Sequence, residues 1–292
     1  MFYEDARTVV ALLAFVLDGS KPKIKPESIG WEQVFKIARQ HSVAGMVCYG
    51  IEKLPLEKRP SAEIMKRFQQ EKWKGIAKEA IQHISTEEIL EALEAAKIRA
   101  LPLKGYILKN SYPRPDMRVM ADVDVLVDDA NTKAVKELML ERGYSCENEG
   151  GNHDVYYRKP YMNVEVHRNI LPEKHDLNGC FEGIFERTKK SGVYHYIKEM
   201  TPEDFYIYSL AHLKKHYAQG GTGIRSIMDL WVFKTDFRKK ADWNVIEKEL
   251  KKVGLYHFEE KLLHLAAVWF GVEEGDAEAQ EIECFIFKNG VA

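Results

Sequence analysis

With 292 residues, 45% of them hydrophobic and 30% charged, the chain can bury a sizeable core and has room for two compact units. A net charge of −2 leaves no polycationic footprint, which argues against extended duplex binding as the main task, so a long nucleic acid is not the favoured partner. The cysteines Cys48, Cys146, Cys180 and Cys284 are far apart with no Cys-x-x-Cys, so neither a disulfide framework nor a zinc knuckle is supported, and reduced thiols in a cytoplasm are expected.

Near the start, Val9, Val10, Leu12, Leu13, Phe15 and Val16 could be mistaken for the apolar core of a signal peptide. Acidic Glu4 and Asp5 precede them, and a spanning helix needs about 18 or more apolar residues, so the pattern predicts an amphipathic helix ending at Asp18-Gly19 and no membrane partner. Lys21 to Pro26 reads as a lysine- and proline-rich linker. Trp31 to Gln40 and Ser42 to Lys53 then follow helical spacing, split near His41-Ser42. Pro55 to Pro60 breaks the pattern, and Ser61 is placed to cap a long helix carrying Phe68, Trp73 and Ile76. A second helix, or the same one continued, runs from Thr86 to Lys97.

Chemistry enters after residue 97. Ile98 to Leu103 reads as a short strand leading into Lys104-Gly105 and a helix from Tyr106 to Asn110. That layout of strand, glycine and helix offers backbone N–H groups to a phosphate. The loop from Pro113 to Arg118 brings Arg114 and Arg118 near the start of the next strand, Asp122-Val123-Asp124-Val125-Leu126-Val127. Alternation sets Asp122 and Asp124 on one face and Val123, Val125 and Val127 on the other. Paired carboxylates repel each other unless a cation lies between them, and a hard, oxygen-preferring ion such as Mg²⁺ suits them. An isolated Asp-x-Asp is more often the polar side of a half-exposed strand; here its company speaks for a site.

A helix from Asn131 or Thr132 to Arg142, ended by Gly143, precedes strands at Tyr144 to Asn148 and Asp154 to Lys159 around a Gly150-Gly151 turn. Met162 to Arg168 alternates again, Val164 and Val166 opposing Asn163, Glu165 and His167. If this strand pairs beside the acidic one with its valines in the same covered layer, Glu165 joins the face of Asp122 and Asp124. Helix at Phe181 to Arg187 and strand at Val193 to Ile197 come next, and then a helix capped at Thr201-Pro202. It carries His212 and His216 one turn apart, as zinc helices do, but without the glutamate of the zinc-protease motif or a third ligand. A polar contact to substrate phosphate and a structural role both remain open for them. Gly220 to Gly223 lacks the lysine and Ser/Thr of a P-loop and reads as a mobile loop. Arg225 and Asp229 are one turn apart and placed to pair. Helices at Trp243 to Val253, Phe258 to Phe270 and Ala277 to Lys288 complete a C-terminal bundle.

Lys104-Gly105, Tyr112-Pro113, Arg118, Asp122-Val123-Asp124 and Glu165-Val166-His167 together resemble the nucleotidyltransferases of the polymerase β-like superfamily. More narrowly, they resemble a poorly characterised bacterial group with lysine-glycine, Asp-x-Asp and Glu-x-His signatures. The resemblance implies an α+β fold with a small mixed-sheet core over residues 98–200, flanked by helical subdomains at 1–97 and 201–292. The first of these would brace the sheet or form one wall of an acceptor pocket. It implies Asp122, Asp124 and Glu165 as catalytic carboxylates and ligands of Mg²⁺ or Mn²⁺, and Lys104, Gly105, Arg118 and His167 as the nucleotide-binding set. Arg114, His212 and His216 are further candidates. The nucleotide would be an NTP, with ATP expected, and the acceptor a hydroxyl of a small molecule or protein, with pyrophosphate released. The chain departs from the superfamily where Tyr106 replaces the usual serine after glycine, which keeps open a competing reading as a catalytically degenerate nucleotide-binding module or partner subunit. A kinase-type phosphotransferase is disfavoured because no His-x-Asp-x-x-x-x-Asn loop is present. On this reading the aspartates face solvent in part, and replacing either by asparagine leaves the fold at least as stable.

Overall fold

A computed structural model describes residues 2–19, 29–171 and 177–290 of the chain; the Lys21 to Pro26 linker lies outside the described residues. Helix α1, Phe2–Asp18, buries Val9, Leu12, Leu13 and Val16 along one stripe and ends where Gly19 takes φ +75°, the left-handed conformation a glycine adopts without cost. Helices α2 (Trp31–Gln40) and α3 (Ala44–Glu52) are split at Ser42, which has φ +57°. The two alternatives left open for Thr86 to Lys97 resolve into one helix: α4 is continuous over Ala62–Ala95, and the Ser61 side chain makes no capping bond. A core shared with α2 takes up Phe68 of α4, while Ile89, Leu90 and Leu93 near its end belong to the core under the sheet.

Strand β1 (Ala100–Pro102), helix α5 (Lys104–Leu108), strand β2 (Val123–Val127), helix α6 (Thr132–Glu141) and strands β3 (Ser145–Asn148), β4 (His153–Arg158) and β5 (Met162–His167) follow. They form a five-stranded mixed sheet in the order β1-β2-β5-β4-β3. Only the β2–β5 pair is parallel, with Val123 opposite Val164, Asp124 opposite Glu165 and Val125 opposite Val166. The expected register is therefore present: the valines of both strands join Val135 and Met139 of α6 in one apolar layer, and the acids share the other face.

That other face is covered too, which the alternation alone did not indicate. Every residue of β2 is buried, and Asp124 is only 3% exposed, so the expectation of solvent-facing aspartates fails for Asp124. The cover comes from helices that follow the sheet. After a short helix α7 (Ile184–Arg187), preceded by Gly183 at φ +62°, strands β6 (Lys189–Lys190) and β7 (Lys198–Glu199) form a minimal ladder. The strand expected over Val193 to Ile197 forms only at its end, where Ile197 makes an isolated parallel bridge to Ala100 of β1. Its backbone N–H groups at His195, Tyr196 and Ile197 instead donate to the carboxylate of Glu94, at 2.8, 2.7 and 3.0 Å, so a side chain takes the donors a ladder would need.

Helix α8 (Pro202–Ala218) starts at Thr201, whose hydroxyl accepts from the Asp204 N–H at 3.1 Å. Helices α9 (Ile224–Asp236), α10 (Trp243–Lys252), α11 (Tyr256–Phe270) and α12 (Ala277–Asn289) complete the fold. Buried residues of α1, α2 and α3 lie in one continuous core with those of α8 to α12, and Arg7 pairs with Glu283 of α12 at 2.6 Å. The helices at the two ends of the chain are thus packed together around an α+β middle. No helix among the described residues is long and apolar enough to cross a membrane.

Candidate active site

A cavity of about 410 Å³ lies between the acid face of the sheet and helices α8 and α9. Lys104, Gly105, Arg118, Asp122, Asp124, Glu165 and His167 line it from the sheet side, with His212 and His216 of α8 and Arg225 and Asp229 of α9 opposite. Among the described residues none before Lys104 lines the cavity, but Lys78 of α4 is near enough to interact electrostatically with its Asp122 and Arg225. Helix α4 also packs on the loop before β2: at Gly75 its backbone passes close to the Asp116 carbonyl and Val119, with 3.6 Å left for an added Cβ.

Lys104 is placed by backbone geometry. The N–H of Leu103 donates to the Asp124 carbonyl at 2.9 Å, which ties the start of α5 to β2. Lys104 itself takes φ +43°, a conformation uncommon outside glycine, and its ammonium donates to Asp124 Oδ1 at 2.8 Å. His167 Nε2 lies 2.8 Å from the same oxygen and 3.4 Å from Glu165 Oε2, so one imidazole links both carboxylates. His153 at the start of β4 stands opposite His167, with Nε2 3.7 Å from Glu165 Oε2.

Proton affinities in this cluster are driven apart. Burial alone would raise the Asp124 carboxyl, but Lys104 and the hydrogen bond from His167 outweigh it and hold the group well below the usual carboxylate range. Asp122 is raised, first by burial and then by the negative charges of Asp124 and Glu165, against a lowering pull from Lys104. Glu165 is lowered, mainly by the His167 hydrogen bond. His167 is raised although burial opposes it, because Asp124 and Glu165 stabilise its charged form. On the helical side His212 is pushed well below the ordinary histidine value by burial and by Lys104; its Nε2 lies 3.1 Å from that of His216.

Arg118 is clamped. Its Nε and Nη2 donate to the two carboxylate oxygens of Asp229, each at 2.9 Å, and the Tyr112 hydroxyl donates to Asp229 Oδ1 as well. The expected Arg225–Asp229 pair does not form as a salt bridge, because the planar fork of Arg118 takes both oxygens. Arg225 instead donates to the Val119 carbonyl at 2.7 Å, and its charge is disfavoured first by burial and then by Arg118.

The glycine after Lys104 has a structural explanation. A Cβ on Gly105 would stand 2.2 Å from Arg118 Nη1 and 2.9 Å from Met120 Sδ. Because Arg118 is held bidentately it cannot swing aside, so Gly105→Ala is expected to cost about 1–3 kcal/mol through overpacking. Urea unfolding measures this, and a Gly105→Ala protein of unchanged midpoint would show that Arg118 is not fixed. Tyr106 points elsewhere: its hydroxyl donates to Glu87 within the core under the sheet. Ser226, in the first turn of α9, brings a hydroxyl to the cavity from another element. Arg114 does not line the cavity. Its guanidinium pairs with Asp116 at 3.0 Å and lies over the Tyr49 ring.

His153 and Arg225 reach the cavity without having been singled out as site residues. For His153 a signal existed: counting back through the hairpin from His167 across Gly150-Gly151 sets the two histidines opposite each other. For Arg225 none did, since nothing local tells which helix covers the acid face.

A family model described as an uncharacterised nucleotidyltransferase matches residues 27–271. No curated protein and no solved structure matches the chain.

Proposed function

Because the chain belongs to this family of uncharacterised nucleotidyltransferases, we propose that it moves an NMP from an NTP, ATP being the first to test, to a hydroxyl of a small molecule or a protein, releasing pyrophosphate. The observation that carries this reading is the parallel pairing of Asp124 with Glu165, which sets three carboxylates on one face next to a lysine. The donor set fits a hard divalent cation: all three are carboxylates, and the proton affinity of Asp122 is raised first by burial and then by the neighbouring charges of Asp124 and Glu165, both of which a bound cation would offset. Asp122, Asp124 and Glu165 would hold Mg²⁺ or Mn²⁺, which when bound would neutralise phosphate charge and lower the pKa of the acceptor hydroxyl.

The chain's own residues do the rest. Arg225 and Lys104 offer positive charge to the triphosphate oxygens, and Arg118, fixed by Asp229, presents its remaining N–H groups beside Gly105. The acceptor oxygen bonds to the α-phosphorus as the bond to the bridging oxygen breaks, the electron pair leaves on pyrophosphate, and the hydroxyl proton passes to solvent. His167, held between Asp124 and Glu165, keeps both carboxylates oriented. A modest net charge and a cavity closed by helices favour a compact acceptor over a long polynucleotide.

The test is Mg²⁺-dependent pyrophosphate release from ATP and other NTPs with pools of small-molecule and protein acceptors, the product identified by its mass gain. Release with an added nucleotidyl group supports the proposal. Tight nucleotide binding with no release under any acceptor supports the degenerate module instead. Mg²⁺ affinity should also depend on pH with a defined sign. Asp122 has a raised pKa, so as pH falls the ion must increasingly displace its proton, and affinity should strengthen as pH rises. Calorimetry in buffers of different ionisation enthalpy reads the released protons; Asp122→Asn should diminish the release, leaving what His167 gives up when the ion takes Asp124 and Glu165.

A further inference from the structure

Next to the aspartates, the cavity wall made by the hairpin carries a second set of ligand atoms, and two of the three are imidazole nitrogens. His153 begins β4 directly opposite His167 at the end of β5, and Glu165 lies two residues before His167 on the same face. Glu165 Oε2 is 3.7 Å from His153 Nε2 and 3.4 Å from His167 Nε2, and one ligand atom from each of the three residues falls within 4.8 Å of the others.

We propose that His153, Glu165 and His167 form a binding site for one borderline divalent cation of the Zn²⁺ and Co²⁺ class. The site shares Glu165 with the carboxylate set described above but differs from it in ligand chemistry. It stands without the transfer reading, since the ion needs no nucleotide.

Distances and chemistry agree. Bonds of about 2.0–2.2 Å in tetrahedral arrangement put ligand atoms roughly 3.3–3.5 Å apart. Two of the separations here are already near that, so a small inward shift of His153, which sits at a strand end, closes the set. A pair of imidazoles with one carboxylate suits borderline ions, whereas Mg²⁺ prefers oxygens and gives up its waters reluctantly. Three protein ligands leave the fourth position open to the cavity, the arrangement of zinc sites that bind an exchangeable oxygen ligand.

The surrounding groups can support such an ion. Asn152 Nδ2 lies 3.4 Å from His167 Nδ1, while its Oδ1 is buried without a hydrogen-bond partner. A half-turn of that amide gives up the 3.2 Å bond to the Asn169 carbonyl and presents the oxygen to Nδ1–H, leaving Nε2 with its lone pair toward the ion. Asp124 then gives up its bond from His167 and keeps Lys104.

The experiment is Co²⁺ and Zn²⁺ binding to the full chain without nucleotide, followed by the visible spectrum of bound Co²⁺ and by calorimetry. One ion is expected per chain, bound more tightly than Mg²⁺ in keeping with the general order of divalent affinities. His153→Ala should weaken it by more than about 100-fold, beyond what loss of an outer-shell partner costs. His153 is partly exposed, so the variant should fold, which circular dichroism checks. Asp122→Asn should retain the ion. Absence of stoichiometric binding overturns the proposal. So does binding that survives His153→Ala, or that is lost in Asp122→Asn, which would put the ion at the aspartates. Loss on His216→Gln with retention in His153→Ala would move the ion to the α8 histidines and overturn it equally. Pyrophosphate release in Mg²⁺ is measured separately, so either idea can fail while the other holds.

Discussion

Asp124→Asn is expected to lose nearly all transfer activity and, in contrast to Asp122→Asn, to destabilise the fold. The reason is placement. Asp124 is buried between the Lys104 ammonium at 2.8 Å and His167 Nε2 at 2.8 Å, so neutralising it strands a buried cation. Removing one partner of a buried ion pair costs about 3–5 kcal/mol, and the amide oxygen that remains puts this variant at the lower end. Activity should fall by roughly three orders of magnitude, since ion-based charge stabilisation is worth several kcal/mol and each 1.4 kcal/mol is tenfold.

Asp122 behaves oppositely. Its charge is opposed by burial, Asp124 and Glu165, so Asp122→Asn should lose activity as completely while stability at neutral pH holds or rises. The pH signs follow from the same shifts. A carboxyl depressed in the native state, as Asp124 is, stabilises the fold above its unfolded pKa of about 3.9, and that contribution is lost as pH falls through the lower native value. A carboxyl raised in the native state, as Asp122 is, costs stability as pH rises past the unfolded value through the native one. Urea unfolding of the two variants across pH 3 to 8 separates these effects. Equal stabilities for the two variants at neutral pH would mean that Lys104 is not paired with Asp124 in solution.

Asp229→Asn is expected to cost about 3 kcal/mol or more of stability and to raise KM for the nucleotide at least tenfold, with a smaller loss in kcat. Asp229 is the partner that Arg118 holds with two parallel bonds and to which Tyr112 donates, and Arg118 packs on Gly105 where a Cβ would stand 2.2 Å away. Without that carboxylate, Arg118 loses its hydrogen-bonded partner beside Arg225 and only Asp122 remains as a nearby counter-charge, and an undercompensated buried charge is what makes broken pairs expensive. Replacing both members with apolar residues, Arg118→Met with Asp229→Leu, should recover most of the stability and none of the nucleotide affinity. If the double variant regained wild-type KM, Arg118 would be a structural residue and the nucleotide would be held elsewhere.

These two aspartates also mark the boundary between what is legible in the chain and what is not. Alternation is local, so the side of the strand that Asp122 and Asp124 occupy, and the matching side for Glu165 and His167, could be read from residue spacing. Turn chemistry is local as well, and Gly19, Gly143 and Gly150-Gly151 sit at positive φ where the turns and helix ends were expected. The cap at Thr201 followed in the same way.

What lay beyond the sequence depends on partners far away along the chain. Val193 to Ile197 has the composition of a strand, but Glu94, about a hundred residues earlier, takes its backbone donors. Arg225 and Asp229 have the spacing of a helical pair, yet a bidentate arginine from the loop before β2 outcompetes a neighbour one turn away. Arg114 and Arg118 look alike in one loop, but only Arg118 finds a carboxylate on α9, while Arg114 stays with Asp116.

By itself, then, the sequence determined the chemical character of the site: which carboxylates share a face, which lysine precedes the glycine, and that the middle of the chain is a small sheet between helical segments. Only the tertiary structure decided how deeply that site is covered. Helices α8 and α9 close over the acid face, and this turns Asp124 from a surface group into a buried partner of Lys104, brings Arg225 and the α8 histidines to the cavity, and splits the proton affinities of the two aspartates. Periodicity reports which way a side chain points, whereas the strength of a charge's interactions depends on what covers it, and that cover is supplied by residues some eighty or more positions away.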